Sequence, residues 1–204
     1  YIVKNFISLY KNIVSPENCK SIIEWFEQNP QHQHKGVLGD AELNPKKKKS
    51  TDISVGSQSL KAPILQPLDI ALTTCLDHYQ EEYDFLKDVA LWCMDEYFII
   101  KRYYPNEGYY IKHCENTGLP RSERRMLTWM LYLNDVEDGG GTSFPTQELE
   151  FDARCGDMLI WPAYWTHPHH GIVSPTQTKY IASGWFIFKK KDNYNDIGNK
   201  LTTK

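Results

Sequence analysis

The chain has 204 residues, 41% of them hydrophobic and 24% charged, and a formal net charge of -3. That length fits one domain with a sizeable core, and the charge balance supplies no global field for attracting nucleic acid. No apolar run approaches the roughly 20 residues of a membrane span, and the first residues show no signal-peptide pattern, so the expectation is a soluble, cytoplasmic protein with no membrane partner.

Five cysteines (Cys19, Cys75, Cys93, Cys114, Cys155) are scattered and never form a C-x-x-C pair. Neither a disulfide framework nor a zinc ribbon is indicated, and a reducing compartment fits.

Residues 1–14 alternate loosely, like a strand leading into Ser15-Pro16-Glu17. Ser15 can cap a helix that has Pro16 in its first turn, with Cys19, Ile22, Ile23 and Phe26 on one face and an end near Asn29-Pro30. His32 and His34 follow in a Gln-rich stretch with no third metal ligand nearby. The basic run Asn44-Pro45-Lys46-Lys47-Lys48-Lys49-Ser50 reads as a solvated loop; the functional alternative is a rim that steers a negatively charged substrate. A second helix is expected from about Gln66 to Tyr83, where Leu68, Leu72, Cys75, Leu76, Tyr79 and Tyr83 repeat at helical spacing.

After residue 95 the pattern changes to short alternating or β-branched runs. Tyr97 to Tyr104, Gly108 to Glu115, Met126 to Leu133, Glu148 to Phe151, Asp157 to Pro162, His167 to Val173 and Lys179 to Phe188 read as strands. With turns instead of helices between them, they suggest an antiparallel sandwich or barrel. Helices first and strands afterwards give an α+β class around a jelly roll, the double-stranded β-helix. The expected map is one domain: helical support and strands over 1–94, the jelly-roll core over 95–188, and a solvated tail over 189–204. Gly139-Gly140-Gly141 lacks the lysine and helix of a phosphate loop and reads as a hairpin turn.

On a strand, His113 and Glu115 share a face while Cys114 points away. A third ligand must come from elsewhere, and Thr166-His167-Pro168-His169-His170-Gly171 is the other histidine-rich strand. Two histidines and a carboxylate leave adjacent coordination positions open, as in non-haem Fe(II) oxygenases; the same set suits catalytic zinc. Alternation places Lys179, Ile181, Ser183 and Trp185 on one face, so the lysine points toward the apolar interior unless it snorkels from a strand edge. A buried cation is costly without a carboxylate partner, which a dicarboxylic cosubstrate would provide.

From Arg102 to Trp185 the chain resembles the Fe(II) and 2-oxoglutarate (2OG) dependent oxygenases of the prolyl 4-hydroxylase type. The resemblance rests on Tyr104-Pro105 with Gly108, His113-Cys114-Glu115, Arg125 through Asn134, Gly140-Gly141-Thr142-Ser143-Phe144-Pro145, Gly156-Asp157, His169-His170-Gly171 and Lys179 through Trp185. It implies that His113, Glu115 and His169 hold Fe(II), that Lys179 pairs with the distal carboxylate of 2OG, and that Tyr132 donates a hydrogen bond to that carboxylate. Tyr104 would line the pocket and Trp185 would wall it. The implied reaction consumes O2, converts 2OG to succinate and CO2, and hydroxylates a C–H bond, with ascorbate as a candidate reductant.

The chain departs from the family pattern in two places. The usual acidic ligand is aspartate, and here it is Glu115. His167 and His170 crowd His169, which is favoured because Gly171 follows at plus two. The expected substrate is proline in a peptide or protein. Another side chain, a small-molecule metabolite, a non-catalytic binding module and a zinc hydrolase are the alternatives. Loops from the Lys46 region and from Asn116 to Arg124 are expected to cover the substrate, the second being polar and mobile until something binds.

Overall fold

The computed structural model describes residues 4–38 and 42–190. In chain order the elements are β1 (Ser8–Tyr10), α1 (Pro16–Glu27), β2 (His34–Lys35), β3 (Thr51–Gly56), α2 (Gln66–Glu82), β4 (Trp92–Met94), β5 (Tyr97–Tyr103), β6 (Arg125–Tyr132), β7 (Thr142–Phe144), β8 (Leu149–Phe151), β9 (Met158–Pro162), β10 (His170–Gly171) and β11 (Lys179–Phe188). Both helices lie where their periodicity places them, and the Ser15 side chain caps α1 by accepting from the Asn18 N–H. The expected frayed tail falls, from residue 191 onward, outside the described residues.

The strands form two antiparallel sheets. The larger runs β1-β9-β6-β11-β5-β3-β2, with β4 also paired to β11; the smaller runs β10-β7-β8. This is the α+β jelly-roll class expected.

Alternation along the central strands decides what each face of the large sheet does. Phe98 and Ile100 of β5, Leu127, Trp129 and Leu131 of β6, and Ala182 and Phe186 of β11 pack against Ile22 and Phe26 of α1 and Leu68, Leu72 and Cys75 of α2. The opposite parity contributes Tyr103, Met130, Tyr132, Leu159, Trp161 and Ile181 to a second core with Phe144 of the small sheet. Buried on both faces, β6 and β11 read as nearly continuous apolar runs.

Gly184 lies in close contact with the helix-side core. A Cβ there would lie 2.7 Å from Trp129 Cζ2 and 2.9 Å from Phe98 Cβ. Gly184→Ala should therefore destabilise the fold by about 1–3 kcal/mol, the usual cost of overpacking, read as a lowered midpoint in urea. An unchanged midpoint would show that Trp129 can yield.

Several strand assignments need correction. Gly108 to Glu115 forms no ladder: it makes isolated bridges, Lys48 with Tyr109 and His113 with His169. His167 to Val173 contracts to His170–Gly171. The glycine run is no hairpin; Gly139 and Gly140, both at positive φ, turn the chain from β6 of the large sheet to β7 of the small one. No helix among the described residues is long and apolar enough to cross a membrane.

Candidate active site

Between the sheets lies a cavity of about 750 Å3, within the usual size of ligand pockets. The inward parity of three strands lines it: Lys101 and Tyr103 from β5, Thr128 and Met130 from β6, and Lys179, Ile181, Ser183 and Trp185 from β11.

His113, Glu115 and His169 meet in this cavity, the one such cluster among the described residues, with their ligand atoms within 4.8 Å of one another. Two backbone hydrogen bonds join the histidines, His113 N to His169 O at 2.9 Å and His169 N to His113 O at 2.8 Å. This bridge brings a residue from each of two distant segments to one point without a full strand pair. Glu115 is fixed by its own N–H, which donates to Ala163 O at 3.0 Å.

The imidazoles are oriented from behind. Nδ1 of His113 lies 3.1 Å from the Ile111 carbonyl, and Nδ1 of His169 lies 3.1 Å from the His167 carbonyl. A carbonyl only accepts, so each Nδ1 carries the proton and each Nε2 keeps a lone pair. Both Nε2 atoms lie 3.5 Å from Glu115 Oε1. Tyr109 stacks on His113, ring centroids 3.6 Å apart, and Trp161 meets His169 edge-on at 5.0 Å.

Burial pulls the His113 pKa down, reinforced by His169. Burial alone would raise the Glu115 carboxyl, but the two histidines that face it hold it well below the usual range. Two Nε2 lone pairs and a carboxylate oxygen converging on one point are the donor set a divalent metal takes, so the residues fit Fe(II).

Trp185 donates from Nε1 to Glu115 Oε2 at 2.9 Å. The Arg125 guanidinium lies 3.6 Å from the Trp185 ring and 3.5 Å from the same oxygen. These contacts turn Glu115 toward the histidines. Trp185→Phe keeps the ring and loses the donor, so Mn(II) affinity by calorimetric titration should fall by about 10-fold, the lower range for a group that orients a ligand. Unaltered affinity would mean Glu115 is held by Arg125 alone.

Of the three clustered histidines, only His169 reaches Glu115. His167 turns away, Nε2 at 2.8 Å from the Asn5 carbonyl and Nδ1 at 2.9 Å from Thr166 Oγ1. His170 pairs with Ser143 in the small sheet.

Lys179 points inward as its parity requires and donates to Gly140 O at 2.7 Å. Burial, with Lys101 nearby, pushes its pKa down to about 8. Tyr132 is fully buried, its hydroxyl 2.6 Å from Thr142 Oγ1, and of the two Thr142 lines the cavity. Tyr132 thus reaches the site through Thr142.

Tyr104 does not line the cavity. It lies beyond the end of β5, 47% exposed, with the Arg102 guanidinium 4.3 Å over its ring. Arg102 is drawn to the helix side by Glu27 at 2.7 Å, so the inward tyrosine is its neighbour, Tyr103.

Lys48 also departs from expectation. Far from solvated, it is 4% exposed and pairs with Asp52 at 2.9 Å. The loop after Asn116 is pinned by the Asn116 amide, which donates to Glu123 O at 3.0 Å and Arg125 O at 2.8 Å. Sequence reasoning passed over Lys101, Tyr103, Tyr109 and Arg125; strand parity would have found the first two, since Lys101 and Tyr103 alternate with Ile100 and Arg102.

Residues 98–187 match the model of the 2OG-Fe(II) oxygenase superfamily. The chain is 24% identical over 195 residues to the "Putative prolyl 4-hydroxylase" of Acanthamoeba polyphaga mimivirus, an alignment spanning 88% of this chain and 73% of that protein. Among solved structures it resembles a Trichoplax adhaerens prolyl hydroxylase in complex with a hypoxia inducible factor oxygen degradation domain peptide fragment (TM-score 0.71, 15% identity, 98% of this chain and 89% of that one). It also resembles the viral collagen prolyl hydroxylase of Paramecium bursaria Chlorella virus-1 as its 2OG complex (0.68, 18%, 90% and 97%). A third is a Pseudomonas putida prolyl-4-hydroxylase (0.65, 14%, 91% and 94%). At these identities the structural likeness establishes a shared fold.

Proposed function

We propose, for a chain whose residues 98–187 match the 2OG-Fe(II) oxygenase superfamily, that it is an oxygenase of the prolyl 4-hydroxylase type and hydroxylates proline in a peptide or protein substrate. The observation that carries this reading is the placement of an inward lysine, Lys179, in the same cavity as the His113, Glu115 and His169 cluster. A metal site alone would suit a hydrolase; a buried cation beside it is what a dicarboxylate cosubstrate needs.

In this reading His113 and His169 offer Nε2 lone pairs and Glu115 a carboxylate oxygen to Fe(II). Lys179 receives the distal carboxylate of 2OG, and Thr142, backed by Tyr132, donates a hydrogen bond to it. Arg125 and Trp185 hold Glu115 in place. Met130, Trp161 and Ile181 give the cavity apolar walls that exclude water. Bound Fe(II) supplies the activation of O2, with 2OG leaving as succinate and CO2 and one oxygen atom entering the substrate C–H bond. Ascorbate would serve as the reductant that keeps the metal ferrous. The five free cysteines support a reducing, cytoplasmic setting.

The test is Fe(II)-dependent succinate release screened against pools of proline peptides, with mass spectrometry of the peptides. Stimulation by proline peptides that gain one oxygen atom supports the reading. Stimulation only by proline-free substrates would reassign the target.

A further inference from the structure

We infer that the cavity selects an acidic substrate: the peptide presented for hydroxylation carries carboxylates that Lys101 receives inside the cavity and that Lys112 and Arg121 receive at its rim. This rests on the proposed hydroxylase reading.

The cavity is lined by six cations, Lys48, Lys101, Lys112, Arg121, Arg125 and Lys179, against the two carboxylates Asp52 and Glu115. The whole chain is net negative, so the excess is local. Some of this charge is already matched. Lys48 pairs with Asp52 at 2.9 Å, Arg125 lies 3.5 Å from Glu115, and Lys179 is assigned to the cosubstrate.

Three cations remain. Lys101 has one polar side-chain partner, Ser183 Oγ at 2.8 Å, although an ammonium carries three donors. Strand register places it opposite Ile181, between Lys179 at one end of β11 and Trp185, the partner of Glu115, toward the other. A carboxylate bound there would lie next to the metal cluster. Burial and then Lys48 push the Lys101 pKa down to about 8, against the opposing pull of Asp52, its register partner on β3, and of Glu115. Lys112 and Arg121 are exposed and make no ion pair among the described residues. Low-dielectric walls lined by one sign of charge focus their field on the opening, which favours an anionic entrant.

The test loads the full chain with Mn(II) and 2OG, which holds the site without turnover, and measures binding of fluorescent proline peptides by anisotropy. The peptides are matched in length and carry Asp and Glu, Gln, or Lys around the proline; free L-proline and L-glutamate serve as competitors. Acidic peptides should bind at least about 10-fold tighter than basic ones, a gap that narrows with salt. Lys101→Met and Arg121→Gln should each shrink the gap several-fold, and Arg121→Gln should leave 2OG affinity unchanged.

Equal binding of acidic and basic peptides would overturn the inference. So would a Lys101→Met variant that weakens 2OG and spares the acidic peptide, because Lys101 would then serve the cosubstrate. Free L-glutamate competing as strongly as the acidic peptide would overturn the peptide assignment. Acid-selective binding without oxygen gain when Fe(II) replaces Mn(II) would refute the hydroxylase reading and leave the charge selection standing.

Discussion

Glu115→Ala should abolish Fe(II)-dependent succinate release, while Glu115→Asp should retain it. The alanine variant leaves two imidazoles and strips Arg125 of its carboxylate, so the site loses both a ligand and charge balance. The loss should exceed the 10- to 100-fold typical of removing a group that merely orients a ligand. Aspartate restores the charge but draws it back by about one C–C bond, roughly 1.5 Å. The 2.9 Å hydrogen bond from Trp185 would then stretch, so Fe(II) affinity should drop while saturating metal recovers turnover. Unfolding curves on both variants separate ligand loss from misfolding. Full activity in a folded Glu115→Ala protein would remove Glu115 from the metal site.

Lys179→Met should raise the KM for 2OG far more than it lowers kcat. Truncating one partner of a buried, hydrogen-bonded charge pair costs about 2–5 kcal/mol, equivalent to roughly 30- to several-thousand-fold in affinity. Methionine fills similar space, so the effect reads charge and not a cavity. The pH dependence follows from the same residue. In the ligand-free protein burial leaves Lys179 titrating near about 8, and a dianionic ligand favours its charged form. Below that pH the lysine is already protonated and its contribution is constant. Above it a proton must be taken up on binding, so 2OG affinity should fall by up to about 10-fold per pH unit. Lys179→Met should flatten that decline. An unchanged 2OG KM in the variant would assign the distal carboxylate to another cation, Lys101 being the nearest candidate by strand register.

The parts of the fold legible in the sequence were those whose determinants are local. Ser15 and the Cys19, Ile22, Phe26 stripe are enough to place α1, and strict alternation from Lys179 to Trp185 placed the lysine and the tryptophan on the cavity face. What escaped depended on distant partners. Residues 108–115 and 167–173 alternate like strands, but alternation reports extended backbone and not whether a neighbour offers a ladder; here they meet through the His113 and His169 bridge. The three-residue β7 follows a glycine turn and is too short for periodicity to register.

The cavity face was less legible for the same reason. Lys48 sits among four consecutive lysines, and its contacts with Asp52, the Val37 carbonyl and Tyr109 distinguish it from its solvated neighbours. Tyr103 and Tyr104 are adjacent and chemically identical, and the choice between them is made by Glu27 pulling Arg102 to the helix side. The metal-ligand candidates were easier to find, because His113, Glu115, His169 and Lys179 fall in the order and spacing of the motifs on which the family resemblance rests.

Incubating the full chain with Fe(II), 2OG, isotopically labelled O2 and a proline peptide that stimulates turnover should give one succinate for each labelled oxygen atom found on the proline ring. Succinate that forms equally well without Fe(II), or an oxygen atom that enters the peptide from water and not from O2, would contradict assignment of the His113, Glu115 and His169 cluster to a 2OG-dependent hydroxylation.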